Sequence, residues 1–598
     1  MLSVRSRNGA PSCSVASSSP TTIRCRRSVS CLLLALGFFP ALQAPAQDQA
    51  SDANRHIISG HVVNAVTQEP IGRALVVSND NRFATLTDSD GRFEFAVPSE
   101  STPKPGAGTA FTVISGAAQL TGASLGIFLS ARKPGFLDVP YQQQWAQASP
   151  DHEVTIPLIP EAIVKGRVAL SSGDPALGIE VQIFSRQVQD GMAHWVPATS
   201  VRTNSAGEFR FADLRPGDYK LFTRELLDND PVSTPPGGPL YGYPPIYYPG
   251  VIDFAAGSAI HLSAGQIFQA DLSPVRQPYY QVTIPVANAD SNNGLNVTVS
   301  LHGHAGPGYS LGYNSEKNAI QGLLPRGVYL VHAASFGPNP ASGAVNIVVA
   351  GAPVEGPTLA LTRNGSLTLN VTEEFTSTVA DTHATWSDGK RTFALRGPRL
   401  YLQASLEPAD DFSPMNGGSL RPPQGPDDDS LVIENLAPGR YWLRLHANRG
   451  YVASATMAGI DLLHHPFVFV PGSTAPIEIT MRDDSAEIEG AVIAAATASP
   501  YPVAQSAASA NGPTAYVYCI PLADGSGEFQ QLWVSADGSF HSQIMSPGTY
   551  RVLAFKTQHP DLPYRDAEAM GAYDTKGQVV TLSPGQKQNL QLQLISSE

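Results

Sequence analysis

Cysteine is the rarest residue in this sequence, with four in 598 residues. Three of them, Cys13, Cys25 and Cys31, lie near the N-terminus, and only Cys519 follows. A single cysteine supplies neither an intramolecular disulfide nor a cysteine-based metal site. Each domain must therefore be stabilised by its own apolar core, which a domain of about 110 residues can provide.

Charge and long apolar runs are also scarce. Charged residues make up 15% of the chain, below the roughly 25% usual in soluble domains. No apolar run after residue 46 is long enough to cross a bilayer as a helix. What the chain has instead is 53 glycines and 50 prolines separating short apolar runs. This pattern predicts an all-β protein, and the length predicts several domains.

The first 46 residues are predicted to be a secretory signal peptide. They carry five arginines, no acid, an apolar stretch from Leu32 to Phe39, and Ala44 and Ala46 before a mature N-terminus at Gln47. A retained membrane anchor is the alternative, but the apolar stretch is too short to span a bilayer. We therefore expect an extracytoplasmic protein, periplasmic, at the cell surface or secreted. Signal removal changes the formal net charge from -13 to about -18, which argues against nucleic acid as a partner.

A hairpin motif recurs four times, with leucine or methionine, then Pro-Gly, then tyrosine. Its copies are Leu214-Arg-Pro-Gly-Asp-Tyr219, Leu324-Pro-Arg-Gly-Val-Tyr329 with the proline displaced by one, Leu436-Ala-Pro-Gly-Arg-Tyr441 and Met545-Ser-Pro-Gly-Thr-Tyr550. Successive glycines lie 110, 112 and 109 residues apart. Because about 110 residues is the size of one ordinary domain, this spacing predicts an array of similar modules.

The chemistry of the turn accounts for the motif. Proline presets φ at the first turn position, and glycine accepts the positive φ that a type II turn needs at the second. Strands with period-two alternation precede and follow the turn. We therefore expect the leucine and the tyrosine to meet on one buried face, and the opposite face of each sheet to lie in water.

The first two modules share a further pattern. Opening strands around Gly60 and Gly166 are followed by Asp88-Ser-Asp-Gly-Arg-Phe93 and Asn204-Ser-Ala-Gly-Glu-Phe209. Aspartate or asparagine ahead of glycine is a hairpin signal. Together the patterns resemble the carboxypeptidase regulatory-like domain, a transthyretin-like β-sandwich, within secreted bacterial proteins of the acidobacterial type. This resemblance implies an accessory fold that brings no catalytic residues. Starch-binding modules and collagen-adhesin stalk domains share the hairpin.

We therefore predict an all-β fold, a tandem array of about five transthyretin-like or immunoglobulin-like β-sandwich domains after a cleaved signal peptide. The predicted bounds are 1–46 for the signal peptide and 55–160, 161–275, 276–364, 365–483 and 484–598 for modules one to five, with the third divergent. Connections between modules look short, which favours a semi-rigid rod.

We predict no catalytic residues, no metal ligands and no cofactor, and we predict that the protein is not an enzyme. No histidine has glutamate three residues later, as a zinc carboxypeptidase requires. Gly308-Tyr-Ser310-Leu-Gly312 matches the Gly-x-Ser-x-Gly motif of the nucleophile elbow in hydrolases. That elbow needs a helix after the serine, and no helical pattern follows here. Three other groups of possible metal ligands are interpreted as turn or loop residues: Asp88–Gly91, Asp427–Asp429, and the histidine pairs His302/His304 and His464/His465. A hydrolase with an unrecognised site is the opposing hypothesis.

The aromatic loop that contains Tyr241, Tyr243, Tyr247 and Tyr248 is the candidate ligand-binding site. Rings on a rigid proline-rich loop lose little entropy when a sugar stacks on them. The alternative is that these rings cover the end of a sandwich. Four tryptophans also lie near predicted turns: Trp145, Trp195, Trp386 and Trp533.

The predicted function is a structural or binding role at the cell envelope, with carbohydrate as the leading ligand. Polysaccharide is the expected partner, and a cell-surface protein, in adhesion or assembly, is the alternative. Lys165 is the one lysine placed for an isopeptide bond of the adhesin-stalk type. The opening strands of the other modules have no lysine there, so we do not expect a repeated isopeptide design.

Overall fold

The computed structural model is almost entirely β-sheet, with 57% strand and 3% helix. It describes residues 55–98, 111–114, 117–120, 127–138, 146–148, 153–228, 240–289, 294–301, 306–337, 339–377, 384–412, 417–472, 474–493, 515–522, 527–535 and 537–595. The predicted all-β, multi-domain β-sandwich fold is confirmed. The number of domains and their bounds stay predictions, and we keep the word module for the five stretches of sequence. The predicted signal peptide lies outside the described residues.

The strands of the first three modules follow one another with few interruptions. Module one has β1 (Arg55–Asn64), β2 (Leu75–Ser78), β3 (Ala84–Leu86), β4 (Arg92–Pro98), β5 (Phe111–Ile114), β6 (Ala117–Leu120), β7 (Phe128–Arg132), β8 (Ala146–Gln147) and β9 (Val154–Leu158). Module two has β10 (Ala162–Arg167), β11 (Glu180–Gln189), β12 (Met192–Arg202), β13 (Glu208–Leu214), β14 (Gly217–Thr223), β15 (Leu226–Asp228), β16 (Leu240–Tyr243), β17 (Ile246–Tyr247), β18 (Ile260–Leu262) and β19 (Ile267–Gln269). Module three has β20 (Gln277–Ala287), β21 (Leu295–Leu301), β22 (Gly312–Asn314), β23 (Ala319–Pro325), β24 (Gly327–Ser335), β25 (Ala341–Val349), β26 (Val354–Glu355), β27 (Leu359–Ala360) and β28 (Thr362–Arg363).

The last two modules also contain short helices. Module four has β29 (Gly365–Glu374), β30 (Thr385–Ser387), β31 (Thr392–Ala394), a 3-10 helix (Gly397–Leu400), β32 (Leu402–Pro408), β33 (Gly418–Ser419), β34 (Leu431–Leu436), β35 (Gly439–Ala447), β36 (Tyr451–Met457), β37 (Ile460–Asp461), β38 (Phe467–Phe469) and β39 (Ile477–Arg482). Module five has β40 (Ala486–Ile493), β41 (Tyr516–Pro521), β42 (Gln530–Trp533), β43 (Ser539–Met545), β44 (Gly548–Phe555), α1 (Ala567–Met570), a 3-10 helix (Gly571–Tyr573), β45 (Gln578–Leu582) and β46 (Lys587–Gln593).

One sheet pattern recurs in all five modules. The opening strand pairs antiparallel with one neighbour and parallel with the closing strand, as in β4-β1-β9, β13-β10-β19, β34-β29-β39 and β43-β40-β46. In module three β20 pairs with β23 and, in parallel, with β26 and β27. A second sheet lies against the first and contains, in modules two to five, the strand after the hairpin motif: β14, β24, β35 and β44. Apolar side chains from both sheets form a separate core in each module.

Two short strands near the end of module two join the sheet of module three. β16 pairs with β15 on one side and with β20 on the other, with Leu240 opposite Tyr279. The chain therefore passes from module two to module three through a shared sheet rather than through a free linker.

The repeated motif forms the same corner four times. Each tyrosine hydroxyl donates a hydrogen bond to the backbone carbonyl oxygen four residues earlier, which is the geometry of a tyrosine corner. The bonds are Tyr219 to Arg215 (2.8 Å), Tyr329 to Pro325 (3.0 Å), Tyr441 to Ala437 (3.0 Å) and Tyr550 to Ser546 (2.7 Å). Each ring is buried in the same core as the leucine or methionine that begins its motif, so the predicted meeting on one buried face is confirmed.

The type II turn predicted for the motif is wrong. Gly217 and Gly548 have φ of 147° and 148°, whereas the second position of a type II turn has φ near about +80°. At Gly327 the reason for glycine is space, because a Cβ there would lie 2.9 Å from the ring of Tyr329. The tyrosine ring folds back over the turn, and that fold leaves no room for a side chain beneath it.

The outer face of the second sheet in module two is covered rather than wet, contrary to the prediction. Lys220 and Phe222 lie on the face of β14 opposite Tyr219, yet they are 8% and 0% exposed. Phe222 belongs to an aromatic cluster with Phe184 and Phe254, against which Phe412 of module four packs. Large outward-facing side chains need cover, and another module provides it.

The semi-rigid rod predicted for the modules is therefore wrong. The ring centre of Phe184 in module two lies 5.3 Å from that of Phe412 in module four. His194 Nδ1 lies 2.8 Å from Asp411 Oδ1 across the same junction. A rod in which each module touches only its sequence neighbours has no contact between modules two and four. Covering the apolar outer face of module two brings the two modules together.

We predict that Tyr441→Phe lowers the free energy of unfolding by about 1–3 kcal/mol, because the carbonyl of Ala437 loses its buried donor. Urea denaturation followed by tryptophan fluorescence measures the effect. Tyr313→Phe is the matched control, since it removes an exposed hydroxyl that bonds Asn318, and we expect a change within about 0.5 kcal/mol. Equal stability of the two variants would contradict a structural role for the corner.

Candidate ligand-binding site

The tyrosines predicted to bind ligand are mostly packed inside the protein. Tyr243 and Tyr247 are 8% and 4% exposed. The ring of Tyr247 stacks on Phe222 at 5.2 Å, and its hydroxyl donates to the carbonyl oxygen of Pro307. The expectation of free ring faces is wrong for these two residues, because they cover the outer face of β14 and the start of module three.

The two remaining tyrosines of the loop are half-buried. The guanidinium of Arg276 lies 4.2 Å from the ring centre of Tyr241, and Arg276 also forms an ion pair with Asp228. Tyr248 packs edge-on against Phe268 with ring centres 5.9 Å apart. Each ring therefore has a packing partner, and a binding role for Tyr241 and Tyr248 stays a prediction.

The other candidate residues lie in turns or on exposed faces. Ser310 is followed by the strand β22, where a hydrolase elbow would need a helix. Asp88 accepts backbone hydrogen bonds from Asp90 and Arg92, as a turn residue does. Asp428 binds the guanidinium of Arg421. Lys165 is exposed. His302, His304 and Trp145 lie outside the described residues.

A large concavity lies instead between modules four and five. It has a volume of about 1570 Å³, larger than the roughly 300–1,000 Å³ of most small-molecule pockets. One wall is the outer face of the sheet that contains β32 and β35. Because side chains alternate along a strand, Tyr441 and Leu443 enter the core, while Trp442, Arg444 and His446 face the cavity.

Module five forms the opposite wall. Arg551 projects from the outer face of β44, and Tyr564 comes from the segment between β44 and β45. The ring of Tyr564 is stacked on Phe529, with centres 3.9 Å apart and planes 4° apart. On the module-four side Trp386 stacks on Phe393 in the β30–β31 hairpin. Indole and phenol rings therefore border the cavity on both sides.

The β11–β12 hairpin of module two contacts the edge of the cavity. Its two-residue turn, Asp190-Gly191, has φ of 47° and 76°, as expected for an Asp-Gly hairpin turn. The Asp190 carboxylate accepts from the Tyr564 hydroxyl (2.5 Å) and lies 2.7 Å from Arg444 Nε and 3.2 Å from Arg565 Nη2. One aspartate thus connects modules two, four and five.

Burial perturbs the charges along the cavity. Arg444 is held by Asp190 and Glu407, yet burial and the neighbouring Arg565 lower the pKa of its guanidinium. Burial also raises the pKa of the Glu528 carboxyl, an effect that His446 at 3.5 Å opposes. Among the described residues no group of three or more histidines, cysteines or acids is placed to hold a metal ion.

Sequence reasoning missed this site, although a signal was present. The residues one and three after each corner tyrosine face outward, and an isolated sandwich would carry small polar side chains there. This chain carries Lys220 and Phe222 in module two, Trp442 and Arg444 in module four, and Arg551 and Leu553 in module five. Large side chains at outward positions indicate contact with another surface.

Comparison with known proteins adds the following. No protein-family model matches the chain, and no curated protein matches it. Among solved structures it is similar to the TIE protein of Bacillus anthracis at 11% identity, covering 72% of this chain and 68% of that one, with a TM-score of 0.13. It is also similar to a streptococcal ancillary pilin (12% identity, 51% and 98% covered, TM-score 0.17) and to the RrgB pilus protein of Streptococcus pneumoniae (10% identity, 73% and 98% covered, TM-score 0.13).

At these TM-scores the likeness carries no argument about function. The resemblance to carboxypeptidase regulatory-like domains stays a prediction. In the described part of the chain, no helix is both long enough and apolar enough to cross a bilayer.

The buried carboxyl of Glu225, between β14 and β15, should make the stability of the folded protein depend on pH. Burial raises the pKa of its carboxyl from 4.5 to about 7. The folded state therefore keeps this proton at pH values where the unfolded state has lost it. The stabilising contribution is complete below pH 4.5 and is lost as the pH rises through about 7. We expect Glu225→Gln to flatten the stability profile between these pH values in thermal unfolding experiments, whereas the exposed control Glu316→Gln keeps the wild-type slope. An unchanged slope in Glu225→Gln would refute the assignment.

The contacts of Asp190 are expected to hold the β11–β12 hairpin against modules four and five. Asp190→Ala leaves Arg444 and Arg565 without their shared carboxylate, so we expect the hairpin to detach and the radius of gyration from small-angle X-ray scattering to increase. Asp90→Ala is the matched control, because Asp90 is an exposed aspartate that also precedes a hairpin glycine. A radius unchanged in both variants would show that this contact does not hold the modules together.

Proposed function

We propose that this protein is a non-catalytic, extracytoplasmic binding protein that holds an oligosaccharide in the cavity between modules four and five. The observation that supports this proposal is the position of the Trp442 ring, beside polar side chains, on the wall of a cavity of about 1570 Å³. Binding sites for organic ligands combine apolar ring surface with a few placed polar groups. The volume suits a ligand of several sugar units better than a single one.

The wall around Trp442 carries the polar groups that a sugar requires. Gln403 and Ser405 lie on the neighbouring strand β32, opposite His446 and Arg444. Both also border the cavity. Amide and hydroxyl groups beside an indole ring can bind sugar hydroxyls while the ring packs against the apolar sugar face. A flat pair of strands presents these groups in one plane, so a linear chain of sugars fits along it.

The two glutamates of the cavity are assigned to structure rather than to catalysis. Glu407 lies 2.8 Å from Arg444 Nη2, and Glu528 lies 3.5 Å from His446 Nδ1. Glycoside hydrolysis needs two carboxyl groups that flank the scissile bond, one of them free to donate a proton. Glu407 is paired with a guanidinium and Glu528 with an imidazole, so we place both in the support of the wall.

Trp442→Ala tests the function. We expect wild-type protein to bind oligosaccharides in isothermal titration calorimetry, and the variant to bind about tenfold more weakly, because it loses the stacking surface. Trp533→Ala is the matched control, since Trp533 is 62% exposed on β42 and does not border the cavity.

Three outcomes would count against the proposal. Absence of saccharide binding, or equal affinity in Trp442→Ala, would remove the cavity as the binding site. Release of reducing ends from the bound oligosaccharide would instead favour the hydrolase hypothesis. Capture of a protein ligand that does not depend on Trp442 would favour the adhesion alternative.

A further inference from the structure

The charged groups of the cavity differ from those of the rest of the chain. The chain as a whole has a formal net charge of -13. The cavity wall, in contrast, carries five arginines against four carboxylates, together with three histidines and no lysine among the described residues. A concave wall with low-dielectric sides concentrates the positive electrostatic potential of the arginines, and this potential attracts anionic ligands.

Several of these arginines keep donors that the protein does not use. In the described part of the chain Arg444 Nη1, Arg551 Nε and Arg399 Nε are buried and have no hydrogen-bond partner. Arg399 donates to two backbone carbonyl oxygens, those of Arg421 and Ser430. Buried guanidinium donors without acceptors are costly. These enclosed donors are out of reach of a ligand, but Arg444 and Arg551 keep 13% and 12% of their side-chain surface exposed, and there an anionic oxygen can pair with them.

Arg444 and Trp442 are placed to bind two different parts of one sugar unit. They lie two residues apart on the same face of β35, and the guanidinium carbon is 5.5 Å from the indole ring centre. An acidic sugar has an apolar ring face and, a few bonds away, a carboxylate or sulfate group. The ring face can pack on Trp442 while the anionic group pairs with Arg444, for which a planar guanidinium is the best-suited side chain.

We infer that the oligosaccharide bound between modules four and five is acidic, and that Arg444 and Arg551 select its carboxylate or sulfate groups. This inference rests on the proposed function, and it narrows the ligand from carbohydrate in general to anionic glycans. Arg444 reads the anionic group from the wall of module four. Arg551, paired with the exposed Asp574 through Nη1, reads it from the wall of module five.

Calorimetric titration with three oligosaccharide probes of equal length tests the inference. The probes are oligogalacturonides, a sulfated heparin-derived oligosaccharide, and neutral malto-oligosaccharides. We expect either or both acidic probes to bind about tenfold more tightly than the neutral probe, which corresponds to one charge-assisted pair. The preference should weaken as sodium chloride is added. Oligothymidylate is the fourth probe, and binding tighter than that of the acidic glycans would overturn the inference in favour of nucleic acid.

The variants are Arg551→Gln and Arg444→Gln, with Arg440→Gln as the matched control. Arg440 lies on the same strand as Arg444 but is exposed and does not border the cavity. We expect the first two variants to lose about tenfold in affinity for the acidic probe and to leave the neutral probe unchanged. Arg551→Gln keeps the inference testable if Arg444→Gln disturbs docking, because within the described residues Arg551 pairs with Asp574 and not with Asp190.

The failures of the two proposals can be distinguished. Binding of malto-oligosaccharides that depends on Trp442 but shows no acidic preference would overturn this inference and leave the proposed function standing. Acidic binding unaffected by both arginine variants would also overturn it. Absence of binding to every saccharide would overturn both.

Discussion

The hydrogen bond from each corner tyrosine to the carbonyl four residues earlier is the interaction on which the other features depend. With its hydroxyl bound, the ring is buried, and its side of the following strand belongs to the core. Side chains alternate along a strand, so the first and third residues after the tyrosine must face outward. The corner thus determines which residues each module presents to its surroundings. In modules two, four and five those residues include Phe222, Trp442 and Leu553, which lie in packed clusters or on the cavity wall.

Covering these outward residues gives the protein its long-range contacts. Phe222 and Lys220 of module two are covered by an aromatic cluster to which module four contributes Phe412. Asp190, at the tip of the same module, links Arg444 and Tyr564. The cavity exists because equivalent faces of modules four and five meet there without filling the space between them. Apolar packing and one shared carboxylate therefore produce both the arrangement and the candidate site.

The sequence was sufficient for the features that local chemistry determines. Glycines and prolines between short apolar runs predicted an all-β chain, which is confirmed, and the buried leucine–tyrosine pair was confirmed at all four corners. The predicted turn type was wrong, since Gly217 and Gly548 have φ of 147° and 148°, and at Gly327 the tyrosine ring leaves no space for a side chain. That interaction depends on the tyrosine hydroxyl reaching backward, which propensities for single turn positions do not include.

The position of the candidate site could not be predicted from sequence patterns. Tyr243 and Tyr247 lie in a loop rich in proline, which suggested exposure, but the loop is used to cover β14 and to begin the sheet of module three. Trp442 and Arg444 lie in the middle of a regular strand, where sequence patterns indicate only an outer face. Which outer faces meet is decided by contacts between modules far apart in the chain, and these leave no spacing signal.

Hydrogen–deuterium exchange with and without a bound oligosaccharide shows most directly whether the ligand lies between modules four and five. We predict slower exchange on binding in three separate places at once: β35, β44 and the β11–β12 hairpin around Asp190. Protection limited to residues 240–248 would contradict it, because binding would then occur at the tyrosine loop and not between modules four and five.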